Sequence, residues 1–209
     1  MNVSIIGTGN MARGLGRRLI AGGHDVTVLG KQVDDAEAVV SEVGADGRAR
    51  AGRSGDAIEG DVVFLAVYYP DAQAAVQQYG DALSGKVVVD ITNPVNETFD
   101  GVVTPPESSA AQELARNAPG ARVVKAFNTT FAGTLTEGRV AGERLDVFIA
   151  ADDADAKATV AQLARDGGLN PIDAGALSQA RQLEAMGLLH MGIQSSLGTG
   201  FGSALKILA

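Results

Sequence analysis

The stretch that decides the fold is the opening one, MNVSIIGTGNMARGLGRRLIAGGHDVTVLGK, residues 1–31. At its centre stands Gly7-Thr8-Gly9-Asn10-Met11-Ala12. Glycine makes up 27 of 209 residues, so a G-x-G-x-x-A pattern alone carries little weight and its flanks have to decide. Before it, Val3, Ile5 and Ile6 make the β-branched run expected of a buried parallel strand. After it, Met11, Leu15 and Leu19 recur every four residues, with Arg13, Arg17 and Arg18 largely on the other side, which predicts an amphipathic helix. Gly22-Gly23 ends that helix, and Asp25-Val26-Thr27-Val28-Leu29 reads as a second strand. Strand, glycine turn, helix and strand within about thirty residues form the smallest βαβ unit.

In that setting each position has a task. Gly7 permits the tight turn, Gly9 lets the backbone approach a pyrophosphate, and small Ala12 lets helix and strand pack closely. The first amides of the helix face an anion with the helix dipole behind them. The turn therefore reads as a dinucleotide site, against the plainer alternative of a structural turn. Sites for NAD usually carry Asp or Glu at the end of the second strand, bonded to the ribose 2′-hydroxyl. Here that place holds Leu29-Gly30-Lys31, and a cation there suits a 2′-phosphate, so NADP(H) is the expected cofactor. Lys31 as an ordinary solvated lysine is the competing reading, and Asp34 and Asp35 weaken the local positive potential.

A hydrophobic content of 45% supports a full core, and 20% charged residues argue against disorder. The chain has no apolar run long enough to span a membrane, and its start reads directly as a core strand, leaving no room for a targeting segment. Without cysteine there is neither a disulfide framework nor a thiolate nucleophile, and two histidines without ligand spacing make no zinc site. A net charge of −8 argues against nucleic acid as a partner. The expectation is a cytoplasmic protein acting on a small-molecule substrate, with neither metal nor membrane.

Strands and helices alternate down the chain. Helices are expected at 34–43, 72–83, between 105 and 120, at 155–165 and at 178–194. Strands are expected at 48–51, 61–67, 86–91, 121–127, 145–151 and 169–173. Such alternation predicts an α/β, Rossmann-type doubly wound parallel sheet, with a small C-terminal helical segment. The expected division is a nucleotide-binding domain over 1–150 and a smaller acceptor-binding and dimerisation part over 151–209, packed as one compact unit. A glycine-rich loop at 195–202 precedes a short apolar tail, 204–208.

Ligands bind such sheets outside the carboxyl ends of the strands. That rule nominates Gly7 to Ala12, Gly30-Lys31, Val67-Tyr68-Tyr69-Pro70, Thr92-Asn93-Pro94 and Asn128-Thr129-Thr130. Tyr68 and Tyr69 either pack on a cofactor ring or cover a helix. Asn93 and Asn128 either bond a carboxamide or ribose, or cap strand ends. Asp90 is an acid or orders its own loop, and His190 is a catalyst or a buried, satisfied histidine. His24 reads as structural. No loop pairs a nucleophile with a base, so the chemistry that needs fewest side chains, hydride transfer between two bound rings, fits best, with no catalytic residue expected.

Gly-Thr-Gly-Asn at 7–10, KAFNT at 125–129, and Asp173-Ala174-Gly175-x-x-Ser178-x-x-Arg181-x-x-Glu184 together resemble the coenzyme F420-dependent NADP reductases. The similarity runs through nearly the whole chain to Leu205-Lys206-Ile207-Leu208. The resemblance implies a short Rossmann protein, a homodimer, that passes a hydride between NADPH and the deazaflavin coenzyme F420. It further implies that Thr8, Gly9, Asn10 and Met11 bind NADP and that Gly30 and Lys31 take the place of the 2′-phosphate clamp. Ala66, Val67 and Tyr68 then form the nicotinamide floor, and Thr129, Thr130, Phe131 and Ala132 with Gly200 and Phe201 form the deazaflavin pocket. Two departures stand out: Gly30-Lys31 lacks the planar fork of the family's usual Ser-Arg pair, and Tyr68-Tyr69-Pro70 replaces a proline-aromatic pair. Reduction of a flavin or another small acceptor, and a non-catalytic NADP-binding module, are the alternative readings.

Overall fold

The protein is described by a computed structural model that covers residues 1–44 and 47–208. Its first half is β1 (Asn2–Ile6), α1 (Asn10–Ala21), β2 (Asp25–Gly30), α2 (Val33–Val43), β3 (Ala49–Arg53), β4 (Val62–Leu65), α3 (Tyr69–Tyr79) and β5 (Val87–Asp90). The second half is α4 (Ala110–Asn117), β6 (Arg122–Lys125), α5 (Ala132–Glu137), the hairpin β7 (Arg139–Val140) and β8 (Glu143–Arg144), β9 (Asp146–Ala151), α6 (Ala154–Asp166), β10 (Asn170–Gly175), α7 (Ala180–Gly192) and α8 (Gln194–Leu197). Eight strands form one sheet in the order β10-β9-β6-β5-β4-β1-β2-β3. The strand order reverses beside β1, which pairs in parallel with both β2 and β4. That is the switch point where such sheets hold ligands.

The central strands are apolar at every position because both sheet faces are covered. Val62 and Phe64 of β4 point into the core under α1, α2 and α6, while Val63 and Leu65 point into the core under α3 and α4. Val87 and Val89 of β5 divide from Val88 in the same way. Fully burying each such side chain contributes about 1.5–3 kcal/mol. Close approach of the helices is set by small residues: a Cβ on Gly14 would stand 3.2 Å from the carbonyl oxygen of Ala132 in α5, and one on Gly16 would stand 3.0 Å from Val43 Cγ1 in α2.

Three elements differ from the sequence expectation. The strand β9 runs antiparallel to β6, with β10 parallel to β9, so the outer pair opposes the rest of the sheet. A parallel neighbour needs a crossover back over the sheet; the chain after β6 instead turns through α5, packed on α1, and the β7–β8 hairpin. The third helix begins earlier than the periodicity implies, at Tyr69, because Pro70 is tolerated in a first helical turn. The C-terminal helix expected over 178–194 is α7, which ends at Gly192, and a separate short helix, α8, follows it. No helix of the described residues is long and apolar enough to cross a membrane.

Candidate functional site

The turn after β1 divides its two glycines between two tasks. Gly7 has φ +121°, and a Cβ there would lie 2.2 Å from the carbonyl oxygen of Ala66. Its amide donates to the Leu29 carbonyl at 2.9 Å, so Gly7 is wedged between the ends of β2 and β4. Gly9 has an ordinary φ of −76° and caps α1, and a Cβ on it would meet nothing within 4 Å. The space over Gly9 is therefore open, whereas the space around Gly7 is full. Among the described residues no side chain caps α1, and its first turn holds no acid. The first helical bond runs from Arg13 N to Gly9 O at 3.2 Å. The amides before Arg13 are the orphan donors of a helix start, backed by the positive end of the dipole. Asn10 is exposed, and Thr8 and Met11 are half-buried, Met11 packing on the core. Arg13 donates to the Thr8 carbonyl and pairs with Glu42 at 2.7 Å, which stiffens the turn from below. An uncapped helix start over an open glycine is the arrangement a pyrophosphate fits.

At the end of β2, Gly30 is buried, and a Cβ there would approach Gln32 O at 2.5 Å and Thr8 Cγ2 at 2.9 Å. Lys31 has a side chain 78% exposed, and its ammonium donates to Asp71 Oδ1 at 2.8 Å. Arg53, opposite Gly30 in the β2–β3 register, brings a second cation to this edge that the sequence reading did not single out. The signal was present in its position at the carboxyl end of a strand.

The paired tyrosines separate cleanly. Tyr68 is 83% exposed just before α3, beside Ala66 and Val67, whereas Tyr69 is buried in the core, its hydroxyl accepting from Gln73 at 3.0 Å. Burial pushes the Tyr69 hydroxyl above its ordinary pKa. Asn93 and Asn128 bond each other: Asn93 Nδ2 donates to the Asn128 carbonyl at 2.7 Å, and Asn128 Nδ2 donates to Asn93 Oδ1 at 2.9 Å. Asn128 Nδ2 also reaches Leu183 O at 2.8 Å. This amide bracket joins the loops after β5 and β6 to α7, with Pro94 buried beside it. Gly187 is required where α7 passes, since a Cβ there would stand 2.6 Å from Asn93 Oδ1.

Beneath the bracket lies a cluster that the sequence reading did not assemble. The Lys125 ammonium, fully buried, donates to Asp90 Oδ2 at 2.7 Å, Glu184 Oε1 at 2.8 Å and the Thr92 carbonyl at 2.6 Å. Asp90 Oδ1 accepts from Thr92 N at 2.8 Å, and Glu184 Oε2 accepts from Ala110 N at 3.1 Å. Asp90 thus orders its own loop. Burial pushes the Glu184 carboxyl above the usual carboxylate range, against the pull of Lys125. Each member was visible only as one letter of a separate motif.

Thr129, Thr130, Phe131 and Ala132 connect β6 to α5. Thr130 Oγ1 donates to Phe127 O at 2.7 Å, closing a turn in which buried Phe127 holds a left-handed φ of +63°. A non-glycine residue there costs about 1–2 kcal/mol and persists only where its surroundings fix it. The Phe131 ring stacks on His190 with centroids 4.3 Å apart and meets Phe201 edge-on at 5.1 Å. His190 is buried, with Nε2 2.8 Å from Ser203 Oγ and Nδ1 3.3 Å from the Thr129 carbonyl. Burial holds its pKa below the ordinary value, as expected of a structural histidine. The residues proposed for an acceptor pocket thus meet: Phe131 and Phe201 share an aromatic cluster, with Gly200 at φ +54° beside it. Buried Gln194 secures that loop, accepting from Thr199 Oγ1 at 2.6 Å and Ser203 Oγ at 3.0 Å.

Comparison with known proteins bears on the family to which the chain belongs. A family profile described as "NADP oxidoreductase coenzyme F420-dependent" matches residues 2–94. The F420-dependent NADP reductase of Methanothermobacter thermautotrophicus is 30% identical over 202 residues, covering 88% of this chain and 85% of that protein. The rat metalloreductase STEAP3 is 33% identical over 187 residues, covering 89% of this chain, but the chain spans only 36% of that protein's length. A solved structure of a candidate F420-dependent NADP reductase from Arthrobacter sp. FB24 superposes with a TM-score of 0.83 at 28% identity, covering 99% of each chain. The chain belongs to the F420-dependent NADP reductase family of oxidoreductases.

Proposed function

We propose that this protein transfers a hydride reversibly between NADPH and the deazaflavin coenzyme F420. The observation that carries the reading is similarity to the Methanothermobacter reductase over most of both chains. The bound coenzymes supply the hydride donor and acceptor. The protein's part is to align them and exclude water. In this reading the α1 amides over Gly9 hold the pyrophosphate, with Thr8, Asn10 and Met11 around it. Gly30 and Lys31 receive the adenosine 2′-phosphate, and Ala66, Val67 and Tyr68 support the nicotinamide. Asn93, Pro94 and Asn128 fix the loops that frame it. Phe131, Phe201 and their neighbours Thr129, Thr130, Ala132 and Gly200 form the acceptor side. No side chain is assigned a proton-transfer step. The working unit is a homodimer, supported by the exposed apolar residues Leu189, Ile193 and Leu197 along α7 and α8.

The test is the loss of oxidised deazaflavin absorbance on mixing with NADPH and protein. A second reading is reduction of a flavin or another small acceptor, and the similarity to a protein named a metalloreductase favours an acceptor other than the deazaflavin. Turnover of FMN without turnover of the deazaflavin selects it, and absence of turnover with both selects a nucleotide-binding module.

A further inference from the structure

We propose that Asp71 sets the protein's preference between NADPH and NADH by competing with the adenosine 2′-phosphate for Lys31. The inference rests on the reading that NADP(H) occupies the switch-point site. In the strand order, β1 lies between β2 and β4. Lys31 follows β2 and Asp71 lies in the first turn of the helix after β4, so their 2.8 Å contact spans the end of β1 where the glycine turn sits. A carboxylate in a first helical turn is favoured by the dipole, which keeps Asp71 at this place whichever partner Lys31 takes.

The end of β2 is where sites of this fold discriminate between a 2′-hydroxyl and a 2′-phosphate. The carboxyl end of β2, Leu29-Gly30, carries no acid, but Asp71 delivers one through space to the ammonium that marks this position. It opposes a 2′-phosphate in two ways: it neutralises Lys31, and its own charge repels the dianion. A free 2′-hydroxyl meets neither effect. NADPH binding therefore exchanges the Asp71 partner of Lys31 for the phosphate, and selectivity is held below what an unpaired lysine would give. Both side chains are substantially exposed, 78% and 43%, so solvent screens the pair and the effect is modest.

The experiment is fluorescence titration of NADPH and NADH against the wild type, Asp71→Asn, Lys31→Ala and the double variant. Asp71→Asn should tighten NADPH about two- to fivefold and leave NADH within about twofold. In the Lys31→Ala background the same substitution should lose most of that gain, because the remaining effect is direct repulsion alone. An equal gain with and without Lys31, or equal changes for both nucleotides, overturns the competition. Equal affinities for NADPH and NADH in both the wild type and Asp71→Asn would instead remove the NADP reading beneath it. A wild type that prefers NADPH with an indifferent Asp71→Asn removes only the proposal.

Discussion

Lys125 fills its three donor positions with Asp90, Glu184 and the Thr92 carbonyl, all out of contact with water. Such a group is worth little as a source of net stability, yet removing one member is costly, because the others are left buried and unpaired. Lys125→Met should destabilise the protein by about 3–5 kcal/mol, a fall of roughly 6–20 °C in melting temperature at this chain length. Adding Glu184→Gln should recover part of the loss by removing one of the two stranded carboxylates. A wild-type melting temperature for Lys125→Met would contradict the network. The two turn glycines make the converse pair. Gly7→Ala drives a Cβ against the Ala66 carbonyl at a φ of +121° and should impair folding. Gly9→Ala meets no neighbour, so its stability should stay within about 0.5 kcal/mol of wild type. If the pyrophosphate lies over Gly9 as proposed, the methyl group occupies its approach, and nucleotide affinity should fall about tenfold or more, about 1.4 kcal/mol. Calorimetry of both variants, with nucleotide titration of the second, separates the two roles.

Elements were legible in the sequence where burial dictates composition. The runs in β4 and β5 are apolar throughout because both faces are covered, and the α1 pattern follows its single buried stripe. Direction was not legible: Leu145 to Ala151 has the same letters whether β9 runs with or against β6, and only the route through α5 decides. The six-residue α5 escaped notice because it buries only Thr134 and Leu135, too few for a period. The Lys125 cluster was hidden because its members lie 35 and 59 residues apart. The tail illustrates an element whose role appears only in three dimensions: Ser203 contacts His190, and Lys206 and the Ile207 amide bond Asp146 at 2.7 Å each. This arrangement predicts a pH dependence. Burial keeps the His190 pKa below the value of about 6.5 that it regains on unfolding. Between those values the unfolded chain binds more protons, so stability is complete above about pH 6.5 and is lost as pH falls through the window. His24 acts in the same direction, while Glu184, pushed upward, opposes both. His190→Gln should therefore show a smaller drop in melting temperature than wild type between about pH 7.5 and pH 5.5. Parallel slopes would show that His190 takes no part.

At the scale of the whole molecule, the question is what covers the outer face of the C-terminal helices. The inner face of α7 is spent on its own subunit, with Ala180, Leu183, Glu184, Gly187 and His190 buried against the sheet and its loops. Leu189, Ile193 and Leu197 follow at intervals of four on the outer side and are 65%, 36% and 52% exposed. Phe201, at 54%, continues the exposed apolar surface past the glycine-rich turn, and its ring also meets Phe131. Scattered exposed leucines need no explanation, but a helical stripe running toward an aromatic cluster is the kind of patch that marks an interface. A twofold contact is the commonest way for a chain to cover such a surface with a second copy of itself. On this account the dimer contact and the acceptor side are mechanically joined through Phe201 and the loop secured by Gln194. Leu189→Glu with Ile193→Glu should convert a dimer to a monomer, read by light scattering at micromolar concentration, while melting temperature measured on the dilute protein changes little. If acceptor binding weakens in the same variant while NADPH binding does not, the stripe supports the acceptor side as well as the contact. A wild type that scatters as a monomer would assign the stripe to another partner, and an unchanged dimer in the double variant would place the contact elsewhere on the surface.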